Sequence, residues 1–442
     1  MLLLALSLAA GPVLADTVIR PAASTGAAAG LVTVQRQPAI PIVALRLSLL
    51  ADDPPGYAGA GHLVQHLVLP TLQEQARRVG GEVQAARSAD AVVYTAIGPA
   101  VELDYLAGVL RGALRTPPAG EGAVLQALRA LEIERAAEWE TAASHVRAEL
   151  RAGLFPEDLS PAGTPSSAAR FSAEVLPAVW AQMYRPERVA VVAVGDVETA
   201  RVRAAFAQLP SSAGDGLPEL FPDTVSTAPP APPEATRGWL GVGYPVSDAN
   251  PAAVTVAARL LRDLLRQKLP TSSVEAEHWW TRQGQALVAV VAAPPAALAL
   301  ARRNTGTAIA TLRDAVDAAA VRDAAAGVRR DMLFYARRPE RMADVLGQFA
   351  DRQGDPEAAQ SFYAAVAQVT EDDVRAVLDS LADRTPTLVD IPPQKLPGST
   401  PARPSTPTRP STGAGTRRPT TGTARPTNPL KPPVRRPEGR KP

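Results

Sequence analysis

Gly59-Ala60-Gly61-His62-Leu63-Val64-Gln65-His66 is the stretch on which the reading of this chain turns. Read as a helix, it puts His62 and His66 one turn apart on a single face, where two imidazoles can converge on one metal ion. Gln65 lies three residues after His62 and shares that face. A carboxylate at this place could take a proton from an attacking water and pass it to a leaving amine. The glutamine amide is neutral and has no basic lone pair near pH 7. The helix therefore presents metal ligands beside a base position that keeps the shape of a base and not its chemistry.

Further along come Gly80-Gly81-Glu82-Val83-Gln84-Ala85, then Ser88, Asp90 and Tyr94. With the histidine pair, this run resembles the insulinase/pitrilysin family of metallopeptidases, in which an inverted H-x-x-E-H motif precedes G-G-x-x-N-A-x-T/S-x-x-D-x-T-x-Y. Three positions depart from that pattern: Gln65 stands where active members have glutamate, Gln84 where asparagine is usual, and Val92 where threonine is frequent. Met183-Tyr184-Arg185-Pro186, the apolar run Val189 to Val194 and Gly195-Asp196-Val197 are similar to the segment that closes the family's first repeat.

The resemblance implies a third metal ligand, a glutamate on a later helix. Leu131-Glu132-Ile133-Glu134-Arg135 offers two. Glu132 is followed by an apolar residue, as the family ligand usually is, whereas the spacing back from Leu154-Phe155 favours Glu134; both remain candidates. Either would complete, with His62 and His66, a three-ligand set with an open fourth position, which is the form of a catalytic zinc site. Zinc is thus an implied cofactor even though Gln65 lacks a carboxylate. Glu74 does not replace the base, because eight helical residues past His66 is about 12 Å along the axis.

The family also aims an Arg and a Tyr at the developing oxyanion, in an L-R-x-x-x-x-x-x-Y arrangement. Leu265-Arg266 is present, but Ser273 occupies the tyrosine position. Arg266 is then a candidate substrate contact without its partner, or a helix-end cation favoured by the macrodipole. Gln84, Ala85 and Tyr94 are candidate substrate contacts of another kind, because in the family this segment is an edge strand that pairs with peptide backbone.

Composition sets the bounds. A chain of 442 residues is long enough for two ordinary domains. Apolar residues make up 46% and aromatics only 4%, so its cores are expected to be Ala, Leu and Val. The absence of cysteine excludes disulfides, thiolate ligands and cysteine nucleophiles. Leu2 to Ala10 is an apolar run followed by Val13-Leu14-Ala15, read as a signal peptide over 1–15 and hence a secreted or periplasmic location. Residues 391–442 are rich in Pro, Thr and Arg and read as a disordered tail. From Pro392 onward, eleven Lys and Arg face a single acid, Glu438, a net +10 that leaves the remainder at −8. A basic tail of this kind suits anionic envelope components. No nucleic-acid partner is expected.

Between these ends the order of elements repeats. Ile42 to Leu50 and Trp239 to Gly243 read as strands, each before a helix (His62 to Arg78; Pro251 to Lys268). Second strands follow at Ala91 to Ile97 and Ala286 to Val291, and each half closes with a helix running into an apolar strand. Residues 16–208 and 236–390 are therefore read as two repeats joined by a Pro-rich linker, 209–235. The expected class is α+β: two tandem insulinase-like repeats, each a mainly antiparallel sheet with helices on one face. In the family two such repeats form one lobe, and two lobes close around an unfolded peptide. A single lobe with a disarmed base implies a non-catalytic, peptide-binding chain or a homo- or hetero-dimer with a catalytic insulinase-like subunit. The alternatives are a weakly active zinc endopeptidase and an envelope-binding scaffold that works through its tail.

Overall fold

Val189–Gly195 and Gly284–Ala293 are apolar at almost every position rather than at every second one, and this patterning is what the architecture resolves. The computed structural model describes residues 30–394 except 89, 119, 157–160, 211–216, 218–228, 233–235, 247–248, 356 and 383. The signal-peptide reading over 1–15, most of the 209–235 linker and nearly all of the 391–442 tail lie outside the described residues.

In the first half, β1 (Leu31–Arg36), β2 (Ile42–Leu49), β3 (Glu82–Arg87), β4 (Val92–Pro99) and β5 (Val189–Gly195) form one sheet in the order β1-β5-β2-β4-β3. Every pairing is antiparallel except β1 with β5. Its helices are α1 (Ala60–Arg77), α2 (Leu103–Gly112), α3 (Glu121–Ala137), α4 (Ala142–Leu154), α5 (Pro165–Ala168), α6 (Leu176–Met183) and α7 (Thr199–Ala205). The second half has β6 (Gly238–Val246), β7 (Ser273–Thr281), β8 (Gly284–Ala293) and β9 (Thr387–Ile391), all antiparallel, in the order β7-β8-β6-β9. Its helices are α8 (Pro251–Lys268), α9 (Leu298–Gly306), α10 (Ala308–Ala315), α11 (Ala318–Tyr335), α12 (Pro339–Gln353), α13 (Ala358–Gln368) and α14 (Glu371–Ala382). The order β3-β4-β2-β5 recurs as β7-β8-β6-β9, with β1 added to the first sheet. The chain is α+β and internally duplicated.

Successive strand residues point to opposite faces, and here both faces are buried. On β5, Val189, Val191 and Ala193 enter the core beneath α1 and α2, while Val192 and Val194 pack with Ala343, Leu346 and Phe349 of α12. On β8, Leu287, Ala289 and Val291 face α8, while Ala286, Val288 and Val290 pack with Val146 and Leu150 of α4. Each half covers one face of its sheet with its own helices and lends one helix to the far face of the other sheet.

Three strands are absent from the sequence reading or misplaced in it. The peripheral β1 and the polar, alternating β7 were not expected. The run from Gln84 to Tyr94 is not one strand, because a turn closed by Ser88 N–H to the Ala91 carbonyl (2.9 Å) folds it into a hairpin. Its outer arm is β3 and its inner arm β4. Among the described residues, no helix is long and apolar enough to cross a membrane.

A buried polar lock joins the halves. Arg46 of β2 is 2% exposed, and its Nη2 donates to Asp351 Oδ2 of α12 at 2.7 Å, with Ser48 as a further partner. Gly347 makes room for it: a Cβ there would lie 2.1 Å from Arg46 Nη1 and 2.6 Å from its Cδ. Gly347→Ala should therefore destabilise the protein by ~1–3 kcal/mol, although alanine favours helix over glycine by about 1 kcal/mol. Urea midpoints for the two proteins check this, and an unchanged or higher midpoint for the variant would refute the packing argument.

Candidate metal centre

The histidine helix starts abruptly, and its start is held from outside. Asp53 accepts the Gly59 N–H at 2.7 Å on Oδ2 and the Gly61 N–H at 2.9 Å on Oδ1, satisfying amide donors that a helix N-terminus leaves open. Gly59 has φ +87°, where a side chain would be strained. A Cβ on Gly61 would come 2.7 Å from Val92 Cγ2. The glycines thus let the first turn press against β4, and Arg87 Nη2 stands 3.7 Å from Asp53 Oδ1. The sequence reading missed Asp53 and Arg87. An acid six residues ahead of the cap residue falls outside the window in which a helix start is normally sought.

The rings of His62 and His66 stack with centroids 4.8 Å apart and planes 27° from parallel. Glu134 reaches both: Oε2 is 3.0 Å from His62 Nε2, and Oε1 is 3.2 Å from His66 Nε2. One ligand atom from each of the three lies within 4.8 Å of the others, and no other such group occurs among the described residues. The packing of α3 explains the choice of carboxylate. Val124, Ala127 and Leu131 are its buried stripe against the core, and Glu134 continues that three-four-three spacing. Glu132 falls off the stripe and does not join the cluster.

Burial lowers the pKa of His62, with Glu134 opposing and His66 reinforcing that shift. A neutral imidazole is the form that binds a metal. Two imidazoles and a carboxylate suit zinc, and His62, His66 and Glu134 would hold it while leaving a position open. There the ion would supply Lewis acidity and make a water more acidic. Gln65 is 5% exposed, and its Oε1 is buried without a hydrogen-bond partner among the described residues. An orphaned buried acceptor costs about 1–3 kcal/mol, so the amide oxygen at the base position is not served by the residues around it.

The other candidate residues separate. Gln84 and Ala85 are on β3, the outermost strand of its sheet, and Gln84 is exposed with its Nε2 donating to Glu82 Oε1 at 2.9 Å. Tyr94 belongs to β4, opposite Ala85; it is 1% exposed, and burial raises the pKa of its hydroxyl. Its side chain belongs to the core of the first half, and β3 takes up the outer edge of the strand that carries it. Arg266 sits in the last turn of α8 and donates from Nε to the Val274 carbonyl at 3.2 Å, tying that helix to β7. Asp90, read from the same motif as Tyr94, is 7% exposed and accepts the Arg282 N–H at 2.8 Å, so it joins the two halves.

No protein-family profile and no curated protein sequence matches the chain. Solved structures do match its fold. A protease from Helicobacter pylori is similar over 81% of this chain and 97% of its own length, with a TM-score of 0.66 at 15% identity. A peptidase M16 inactive domain from Pseudomonas fluorescens is similar over 84% and 97%, with a TM-score of 0.67 at 14% identity. An M16-like protein from Alicyclobacillus acidocaldarius is similar over 82% and 96%, with a TM-score of 0.66 at 17% identity. The fold is thus the M16 peptidase fold, that of the insulinase/pitrilysin class, and its neighbours include a domain described as inactive.

Proposed function

We propose that this chain is an exported, insulinase-like lobe that binds zinc without useful hydrolysis and serves to hold an unfolded peptide or to partner a catalytic lobe. The observation that carries this reading is the union of a convergent His62–His66–Glu134 set with a buried glutamine, Gln65, in place of a carboxylate base. β3 supports the peptide-holding part: it is an exposed outer strand, and an outer strand can add a peptide strand without a base. The second lobe would come from another copy of the chain or from an active relative. The apolar run Leu2 to Ala10 supports export, and the basic end supports contact with anionic envelope components.

Hydrogen exchange with an unstructured 20- to 30-residue peptide tests the reading. The amides of Glu82–Arg87 should slow in its presence, and the peptide should be recovered intact. Unchanged exchange along β3 would remove the peptide-holding role. Rapid cleavage abolished by chelator would favour the second reading, a weak zinc endopeptidase, which the complete ligand set also supports.

A further inference from the structure

The two halves share one small contact that sets them in register. In the first, Gln73 Nε2 of α1 donates to the Val83 carbonyl, the second residue of β3, at 3.2 Å. In the second, Arg266 Nε of α8 donates to the Val274 carbonyl, the second residue of β7, also at 3.2 Å. Aligning Gln73 with Arg266 places Thr255 at the position of His62, Ala258 at that of Gln65 and Arg259 at that of His66. The ion pair follows suit. Arg259 Nη1 meets Asp331 Oδ2 at 2.6 Å, with Asp331 near the end of α11 as Glu134 is near the end of α3. The second half thus carries a counterpart of the metal centre in which Thr255 and Arg259 stand at the two histidine positions.

At that counterpart lies a cleft of about 600 Å³, bounded by α8, β7, α11, α12 and α13. This is the size of a small-molecule site. One wall is aromatic: Trp280, Phe349 and Phe362 pack with ring centroids 4.9–5.9 Å apart. The charges facing the cleft do not cancel. Glu277 is held by both forks of Arg147 and by Trp279, and Asp331 is held by Arg259. Arg352 lies over Trp280 at 5.3 Å, and among the described residues its buried Nε has no partner at close hydrogen-bond distance. Its carboxylate neighbour, Asp90 at 3.6 Å, is shared with Arg282. Arg262 adds a further guanidinium, met by Asp263 at 3.3 Å.

We propose that this cleft binds an apolar carboxylate, its body against Trp280, Phe349 and Phe362 and its carboxylate on Arg352 and Arg262. Guanidinium forks match carboxylates in geometry and charge, and aromatic walls favour a flat or branched apolar body. The C-terminal residue of a peptide and a free aromatic acid share this chemistry. Only the peptide source rests on the peptide-holding function; binding at the cleft does not.

Calorimetry on the full chain tests the site with three probes: N-acetyl-phenylalanine, its C-terminal amide, and a nonapeptide ending in phenylalanine with a free carboxylate. The free acid should bind at least tenfold more tightly than the amide. Arg262→Gln should weaken it by a similar factor. Gln348→Trp, which grows an exposed side chain on α12 into the cleft, should abolish binding while circular dichroism stays unchanged. Equal binding of acid and amide, or binding indifferent to Gln348→Trp, would overturn the proposal, as would no binding by any probe. If the nonapeptide binds like the free acid, the cleft takes peptide ends; if only the small acid binds, it takes a free aromatic acid. Either result is independent of hydrogen exchange at β3, which reports on the proposed function alone.

Discussion

Zinc-replete wild-type protein should carry about one zinc per chain, and His62→Ala or His66→Ala should carry none. Replacing a residue that merely supports a ligand typically costs 10- to 100-fold in metal affinity, and losing one of three ligands should cost more. Glu134→Gln should behave like the histidine variants, because its oxygens lie 3.0 and 3.2 Å from the two Nε2 atoms. Glu132→Gln should keep its metal, since that side chain lies off the buried stripe of α3. Metal analysis and calorimetry check the series. A metal-free wild-type protein after zinc-replete purification would make the cluster a relic, and metal loss in Glu132→Gln alone would reverse the choice of ligand.

Gln65→Glu should give the largest gain of activity available from a single substitution. It returns a proton acceptor to a buried position on the ligand face, and general-base catalysis typically contributes ~10²- to 10⁴-fold. The gain should stop short of a full peptidase. Ser273 stands where the resembled family has a tyrosine, and a lost oxyanion donor costs ~10²- to 10³-fold. Arg266, the partner of that missing tyrosine, is engaged with the Val274 carbonyl. Hydrolysis of an unstructured peptide, followed with and without chelator, measures the effect. Wild-type activity equal to that of Gln65→Glu would show that the amide does not limit hydrolysis.

The repeated order of elements could be read in the chain because each helix follows a strand and each half ends on an apolar run. The site was half legible. His62 and His66 announce themselves by spacing, but choosing Glu134 over Glu132 required knowing which stripe of α3 is buried, and that depends on Val124, Ala127 and Leu131 meeting α1. The burial of Tyr94 could not be read from alternation, which identifies a strand without saying which of its faces meets the core or that β3 lies outside it. Asp53 acts on α1 from across a loop, a relation that no local pattern carries. β7 escaped notice since Glu275, Glu277 and His278 make it polar; both glutamates meet Arg147, and His278 is held by Thr255 and Gln285.

The exchange of α4 and α12 between the sheets has a consequence for how this chain comes into being. By residue 208 every strand of the first sheet has been made, yet the helix that covers its far face begins only at Pro339. The apolar stripe of α4 waits longer, since β9, one of the strands it covers, ends at Ile391. A chain emerging from its N-terminus therefore cannot finish its first half early. Until α12 is made it holds two bare apolar surfaces, and until β9 arrives the stripe of α4 is only partly covered, the condition in which nascent proteins aggregate.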